Sequence, residues 1–352
     1  MKSYFFILTY FAGGGTEKVF ENVSKVINEN IGNAKIYLFV INGFNLEQYP
    51  VEEFVNVIKS KVELKKIAKS EKNKLVVNFS GDWKSSFVSR QISKDYISWV
   101  HQNPMTMKTA RTAFINFYLL KKSTKIVCVC KEQKEILENE FGFKNQIEVI
   151  YNSVDFEKVK KLSLFPLENV NFNYILMVAR LDFNSKDFFT VIKAYSLLPS
   201  ELQKKYKLVF LGSGPDEQKI INYIENSVPV ILKTNIILTG FDKNPYRWIK
   251  NASLNILSSK TEGFSVSIIE GMCLDCPEIL TNYRTGSKEV SENGKNTVLV
   301  PIGDYCSMRN AIERILTDEN FKNELVKNAS TFVMKFYQSE VEKVIFDFFK
   351  QF

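Results

Sequence analysis

Short β-branched or aromatic runs alternate with helical patterns along the chain, and they do so in two successive sets. The first set is Tyr4–Thr9, Lys35–Ile41, Leu75–Phe79, Tyr96–Val100, Ile126–Cys130 and Ile147–Ile150. The second is Tyr174–Ala179, Lys207–Leu211, Asn235–Thr239, Leu254–Leu257, Glu278–Thr281 and Thr297–Val300. Strands separated by helices are joined by crossovers, which makes a sheet parallel and covers both of its faces. Two such sets predict an α/β chain of two Rossmann-like, doubly wound domains. The length of 352 residues agrees, because one hydrophobic core rarely serves so long a chain. The alternation lapses at Ser163–Asn173, around Pro166, so the domains are expected at 1–165 and 166–335. A last helical pattern, Glu319–Phe352, ends in Phe346, Phe348, Phe349 and Phe352, and its final stretch, 336–352, is expected to pack back on the first domain.

Several classes are excluded early. The apolar run Tyr4–Ala12 ends in glycines without a cleavage pattern and reads as a core strand, not a leader. No run approaches the ~20 apolar residues that span a bilayer. Five cysteines, an odd number, do not suggest a disulfide framework and point to a reducing, cytoplasmic setting. Charge is uneven: residues 1–165 carry 25 Lys or Arg against 17 Asp or Glu, whereas residues 166–352 carry 22 of each. A basic first half suits an anionic partner such as a membrane surface or lipid phosphate, and equally a solvated surface. Within it, Lys108–Lys122 sets Phe114, Phe117, Tyr118 and Lys121 at helical spacing, a pattern that fits either an anionic membrane or a core-facing stripe. No recognised motif interleaves these aromatics for nucleic acid, and none is expected as a partner.

Ligands of open α/β sheets bind beyond the carboxyl ends of the strands, and with two facing sheets the natural place is the cleft between the domains. Four segments follow predicted strands in that way. Thr261–Met272 contains Glu262 in a loop and Glu270 in the helix after it, with Gly263 allowing close backbone approach. The amides of Phe264, Ser265 and Val266, at the start of that helix, suit a phosphate. A carboxylate on each side of an anion site matches a nucleotide sugar: Glu262 would accept from sugar hydroxyls and Glu270 from the ribose. Arg180 and Lys186 follow the strand Tyr174–Ala179, and two cations there could clamp a diphosphate and offset the charge that grows as it leaves. Gly13, Gly14 and Gly15 open a helix after the first strand, which suits either a phosphate or a plain tight turn. His101, the only histidine, ends the strand Tyr96–Val100 and is either cleft-lining or structural. No Asp-x-Asp metal site, P-loop or nucleophile elbow is present, and Cys273-x-x-Cys276 lacks the further cysteine pair of a zinc site.

Together these segments resemble glycosyltransferase family 4, retaining enzymes of the GT-B fold, over nearly the whole chain. Gly13-Gly14-Gly15-Thr-Glu-Lys resembles the family's glycine loop, Tyr151-Asn-Ser-Val-Asp155 its Asn-Gly-Val-Asp segment, and Arg180 with Lys186 its diphosphate-binding pair. Leu211-Gly-Ser-Gly-Pro215, the span from Glu262 to Glu270, and Pro301-Ile-Gly-Asp304 are similar to later family elements. Thr16, Ser153 and Gly271 depart from the usual alanine, glycine and alanine.

The resemblance implies a nucleotide-sugar-binding second domain, an acceptor-binding first domain, and His101 and the glycine loop near the donor. It also implies that no metal is required and that the acceptor attacks from the front face. The expected activity is transfer of a hexose or N-acetylhexosamine from a uridine-linked sugar to a glycan, lipid-linked, in surface polysaccharide assembly. The expected place is the cytoplasm, peripheral on the inner membrane face. The alternatives are a nucleotide-sugar epimerase on the same fold and a non-catalytic partner of a transferase.

Overall fold

The computed structural model describes residues 1–11, 15–43, 50–103, 110–144 and 146–352. The chain forms two compact units, one of residues 1–153 with 338–352 and one of residues 154–337.

In the first unit, strands β1 (Lys2–Leu8), β2 (Ala34–Val40), β3 (Val55–Ile58), β4 (Lys74–Asn78), β5 (Tyr96–Val100), β6 (Lys125–Cys128) and β7 (Gln146–Val149) form one parallel sheet in the order β3-β2-β1-β4-β5-β6-β7. Alternation along β1 decides which helices cover which face. Tyr4 and Phe6 meet Phe349 of the helix Gln338–Lys350, and Phe6 also meets Phe20 of α1 (Gly15–Asn30). Phe5 and Ile7 enter the opposite cluster, with Leu64 of α2 (Lys61–Ser70) and Val88 of α3 (Trp83–Ile92). The next helix, α4 (Ala110–Leu120), packs on α3, and its Leu119 carbonyl accepts from Tyr96 Oη at 2.5 Å. Helices α2, α3 and α4 therefore lie side by side on one face, as right-handed crossovers running in one direction require.

In the second unit, β8 (Asn173–Val178), β9 (Tyr206–Leu211), β10 (Ile236–Gly240), β11 (Leu254–Leu257), β12 (Glu278–Thr281) and β13 (Val298–Val300) form a parallel sheet in the order β10-β9-β8-β11-β12-β13. Its central strands β8, β9, β11 and β12 are rich in buried Ile, Leu, Val, Met and Phe, as expected where helices cover both faces.

Three details differ from the sequence pattern. Strand β3 was not expected: it is a four-residue edge strand with only Val55 and Ile58 buried, too short to show a period. The helix Phe156–Ser163 belongs to the second unit, where it packs on the helices Tyr246–Asn251 and Val266–Cys273. The Pro166 stretch is thus a connection inside that unit. Finally, Glu319–Phe352 is not one helix. It breaks into Glu319–Phe332, a 3-10 turn Val333–Phe336 and Gln338–Lys350, because Tyr337 adopts an extended conformation with ψ of 137°. No helix among the described residues is long and apolar enough to cross a membrane.

Candidate functional site

The second sheet reverses direction between β8 and β11: from β8 the chain winds to β9 and β10, and from β11 to β12 and β13. Such a switch point leaves a crevice at the carboxyl ends of the two central strands. The loops that leave β8 and β11 carry most of the polar residues predicted for ligand binding.

The loop after β8 holds Arg180 and Lys186. Its backbone is pressed against the turn after β9, where Leu181 N donates to Ser213 O at 3.1 Å. A β-carbon on Gly212, which has φ of +146°, would lie 2.0 Å from Ala179 O, and one on Gly214 would lie 2.4 Å from Leu181 O. Only glycine permits this approach, so the Gly-Ser-Gly turn sets the path of the Arg180 loop. Arg180 itself is exposed and forms no ion pair among the described residues.

Lys186 turns toward the loop after β11. Its backbone bridges Ser259, and its Nζ donates to Ser259 Oγ at 3.2 Å and to Glu262 Oε1 in a short ion pair. Ser259 Oγ also donates to Glu262 Oε1, at 2.7 Å. A cation and a carboxylate predicted to serve one ligand are thus held against each other, and both side chains are largely shielded.

Three residues that sequence reasoning missed pin this loop from below. Thr281, Tyr283 and Thr285 alternate past the end of β12 and are all buried. The Thr281 hydroxyl accepts from Ser259 N at 2.7 Å, the Tyr283 hydroxyl pairs with Ser265 Oγ, and Thr285 Oγ1 donates to the Glu262 carbonyl. The signal available was their spacing of two, which continues the strand pattern of β12 into the loop.

Ser265 is the N-cap of the helix Val266–Cys273, but its hydroxyl bonds Tyr283 and makes no capping bond. The first-turn amides beginning at Val266 therefore lack a side-chain cap and, like those of any helix start, have no acceptor within the helix. That leaves a positive helix end beside Glu262. Gly263 and Phe264 are buried in the same loop, the Phe264 ring packing on Phe336 with centroids 5.4 Å apart. Glu270, on the next turn, is buried and accepts from Tyr246 Oη at 3.0 Å. Tyr246 lies 24 residues upstream, and no local pattern marked it.

His101 and Gly15 lie in the first unit. Gly15 is exposed at the start of α1, with nothing within 4 Å of where a β-carbon would sit. Gly13 and Gly14 lie outside the described residues. His101 follows β5 directly, with its ring parallel to Trp99 at 6.0 Å and against Phe79 at 4.7 Å. Burial pushes its pKa down to about 3, so the imidazole is neutral at physiological pH, and Nε2 has no hydrogen-bond partner among the described residues. In α4 the predicted aromatic stripe divides: Phe117 stacks inward on Phe141 at 4.2 Å, whereas Phe114 and Tyr118 face solvent. Lys108 lies outside the described residues.

Two parallel Rossmann-like sheets, with charged loops meeting at the switch point of the second, make up the architecture of the GT-B fold. Residues 160–332, nearly all of the second unit, match the family described as glycosyl transferases group 1. The chain is 27% identical over 232 residues to the N-acetylgalactosamine-N,N'-diacetylbacillosaminyl-diphospho-undecaprenol 4-alpha-N-acetylgalactosaminyltransferase of Campylobacter jejuni, covering 64% of this chain and 61% of that protein. The match therefore spans less than two thirds of that relative's length. The capsular polysaccharide biosynthesis glycosyltransferase CapM of Staphylococcus aureus is 23% identical over 344 residues, 88% of this chain and 87% of that one. In fold, the chain is similar to Alr3699/HepE of Anabaena, solved in complex with UDP-glucose, with a TM-score of 0.81 at 17% identity over 99% of this chain and 100% of that one.

Proposed function

We propose that the protein transfers a hexose or N-acetylhexosamine, with retention, from a uridine diphosphate sugar to a lipid-diphosphate-linked glycan in surface polysaccharide assembly. The observation that carries this is the contact between Lys186 and Glu262 at the switch point, beside an uncapped helix start. A cation for a phosphate and a carboxylate for sugar hydroxyls, held side by side, fit the two ends of the bond to be broken. The relatives add support: one is named for an undecaprenol-diphosphate-linked acceptor, one for capsular polysaccharide, and a protein of like fold was solved with UDP-glucose.

In this reading Arg180 and Lys186 hold the diphosphate, and the amides at Val266 hold its distal phosphate. Glu262 accepts from hydroxyls of the transferred sugar, and Glu270, fixed by Tyr246, accepts from the ribose. Gly14, Gly15 and His101 are the remaining donor residues, His101 as a neutral hydrogen-bonding group. The bond from the anomeric carbon to the phosphate oxygen breaks with its electron pair going to the diphosphate. The acceptor hydroxyl oxygen bonds the same face of that carbon, and its proton passes to the departing phosphate. The two cations offset the charge that develops there, and no metal is required. The protein works in the cytoplasm, at the membrane face where a lipid-linked acceptor is reached.

The test is transfer from a panel of labelled UDP-, GDP- and ADP-sugars to an undecaprenol-diphosphate-linked glycan, with and without a chelator. Label entering the lipid phase from a UDP-sugar, unaffected by the chelator, is expected. Conversion of the nucleotide sugar with no acceptor present would make the protein an epimerase. Binding without any turnover would make it a non-catalytic partner.

A further inference from the structure

Of the eight large exposed apolar side chains among the described residues of the first unit, four lie on the helices of one face of its sheet. Val62 lies on α2, Phe87 on α3, and Phe114 and Tyr118 on α4, the last two 74% and 52% exposed. Together, α2, α3, α4 and the Lys121–Lys122 pair that follows carry nine Lys or Arg against a single acid, Glu63. On the other face, α1 and the helix Gln338–Lys350 carry four Lys against six Asp or Glu. The basic excess therefore belongs to one face, and it coincides with the exposed aromatics.

The arrangement is tightest on α4. Arg111, Phe114, Tyr118 and Lys121 follow one another at intervals of three and four, and Lys122 stands four after Tyr118, which sets them in one stripe. All five are exposed, and Lys122 Nζ lies 5.4 Å from the Tyr118 ring centroid. The stripe is not core surface left uncovered by chance, because the core-facing side of α4 is filled by Leu120 and by the Phe117–Phe141 stack. Beyond it the chain turns acidic, with four Glu in Lys131–Glu140, which limits the patch on that side.

We infer that the α2–α3–α4 face docks on an anionic phospholipid bilayer, with Phe114 and Tyr118 entering the headgroup layer and the lysines and arginines meeting lipid phosphates. Aromatic rings flanked by cations, on a helix lying flat, suit that boundary, where apolar and charged groups are both accommodated. Each cation near an anionic surface strengthens attachment, and the attraction fades within a Debye length. Nucleic acid would match the charge but offers no apolar layer for Phe114. This docking rests on the lipid-linked acceptor proposed above and gives that reading its surface.

The experiment is flotation of the full-length protein with vesicles of phosphatidylcholine alone and of phosphatidylcholine with phosphatidylglycerol. Phe114→Ser/Tyr118→Ser and Lys121→Glu/Lys122→Glu are compared with wild type, and thermal melts confirm that each pair of surface changes leaves the fold intact. Wild type is expected to bind the anionic vesicles only, and about 0.5 M NaCl is expected to release it. Each double variant is expected to bind at least ~10-fold more weakly while keeping transfer to a water-soluble acceptor analogue. Equal binding by wild type and both variants would overturn the inference. So would equal binding to neutral vesicles, loss in the variants of duplex-DNA binding alone, or sedimentation showing that the face closes a dimer. Vesicle binding through this face without transfer to any lipid-diphosphate acceptor would contradict the proposed function and leave the docking face standing.

Discussion

A β-carbon on Gly271 would lie 1.5 Å from Oε1 of Glu278, so the helix that carries Glu270 is seated against a buried carboxyl group. Gly271 takes the place next to Glu270 where the family usually has alanine, and the structure supplies the reason. The Glu278 side chain is fully buried at the start of β12, with Oε2 accepting from Asn255 Nδ2 at 2.8 Å, so it cannot simply swing aside. Gly271→Ala is expected to cost about 1–3 kcal/mol by overpacking. It is also expected to raise the donor KM, since any shift of the helix moves Glu270. Adding Glu278→Val should restore most of the lost stability, as read from urea unfolding. Wild-type stability in the single variant would show that the helix yields freely.

Glu278 also predicts a pH dependence. Burial pushes its pKa well above the ordinary value of 4.5, and Asn255 opposes that only in part. An acid whose folded-state pKa exceeds its unfolded one holds more protons when folded. Its contribution is complete below the unfolded value and is lost as pH rises toward the folded one. As pH rises above about 5, wild type should therefore lose stability relative to Glu278→Gln, by up to ~1.4 kcal/mol per pH unit. Urea unfolding of both proteins across that range checks it, and parallel curves would refute it.

The Gly214 contact yields a third prediction. Its neighbour is the backbone of Leu181, not a side chain that can turn away, and Leu181 directly follows Arg180. Gly214→Ala should destabilise the second unit by roughly 1–3 kcal/mol and lower transfer in step with the displacement of Arg180. A melting temperature and turnover equal to wild type would mean that the loop is not held there.

Kinetics separate the roles of the charged residues. Arg180→Ala, Lys186→Ala and Glu262→Ala should each lower transfer at least ~100-fold, about 2.7 kcal/mol of transition-state stabilisation. Glu270→Ala should mainly raise the donor KM, because ribose contacts persist through the reaction. Wild-type turnover in the first three variants would remove the diphosphate clamp from the account.

Much of this fold was legible because parallel strands buried on both faces write themselves as apolar runs. Tyr96–Val100, Leu254–Leu257 and Glu278–Thr281 match their predicted bounds. Strand β3 was not legible, since four residues at a sheet edge carry two buried positions and no period. The break at Tyr337 was hidden because apolar residues continue at helical spacing on both sides of it. In the site, Glu262, Lys186 and Ser265 stood out through their neighbours in sequence. Tyr246, Thr281 and Tyr283 did not, because their partners meet them only through the fold. Glu278 read as an ordinary strand residue, and nothing in its local pattern revealed that it faces Gly271.

The central claim is that the carboxylates and cations at the switch point of the second sheet hold a uridine diphosphate sugar. Isothermal titration of UDP into wild type, Lys186→Ala and Glu270→Ala tests it most directly. The account predicts saturable binding to wild type and affinity at least ~10-fold lower, about 1.4 kcal/mol, in each variant. Equal affinity in all three proteins, or no UDP binding to wild type, would contradict it.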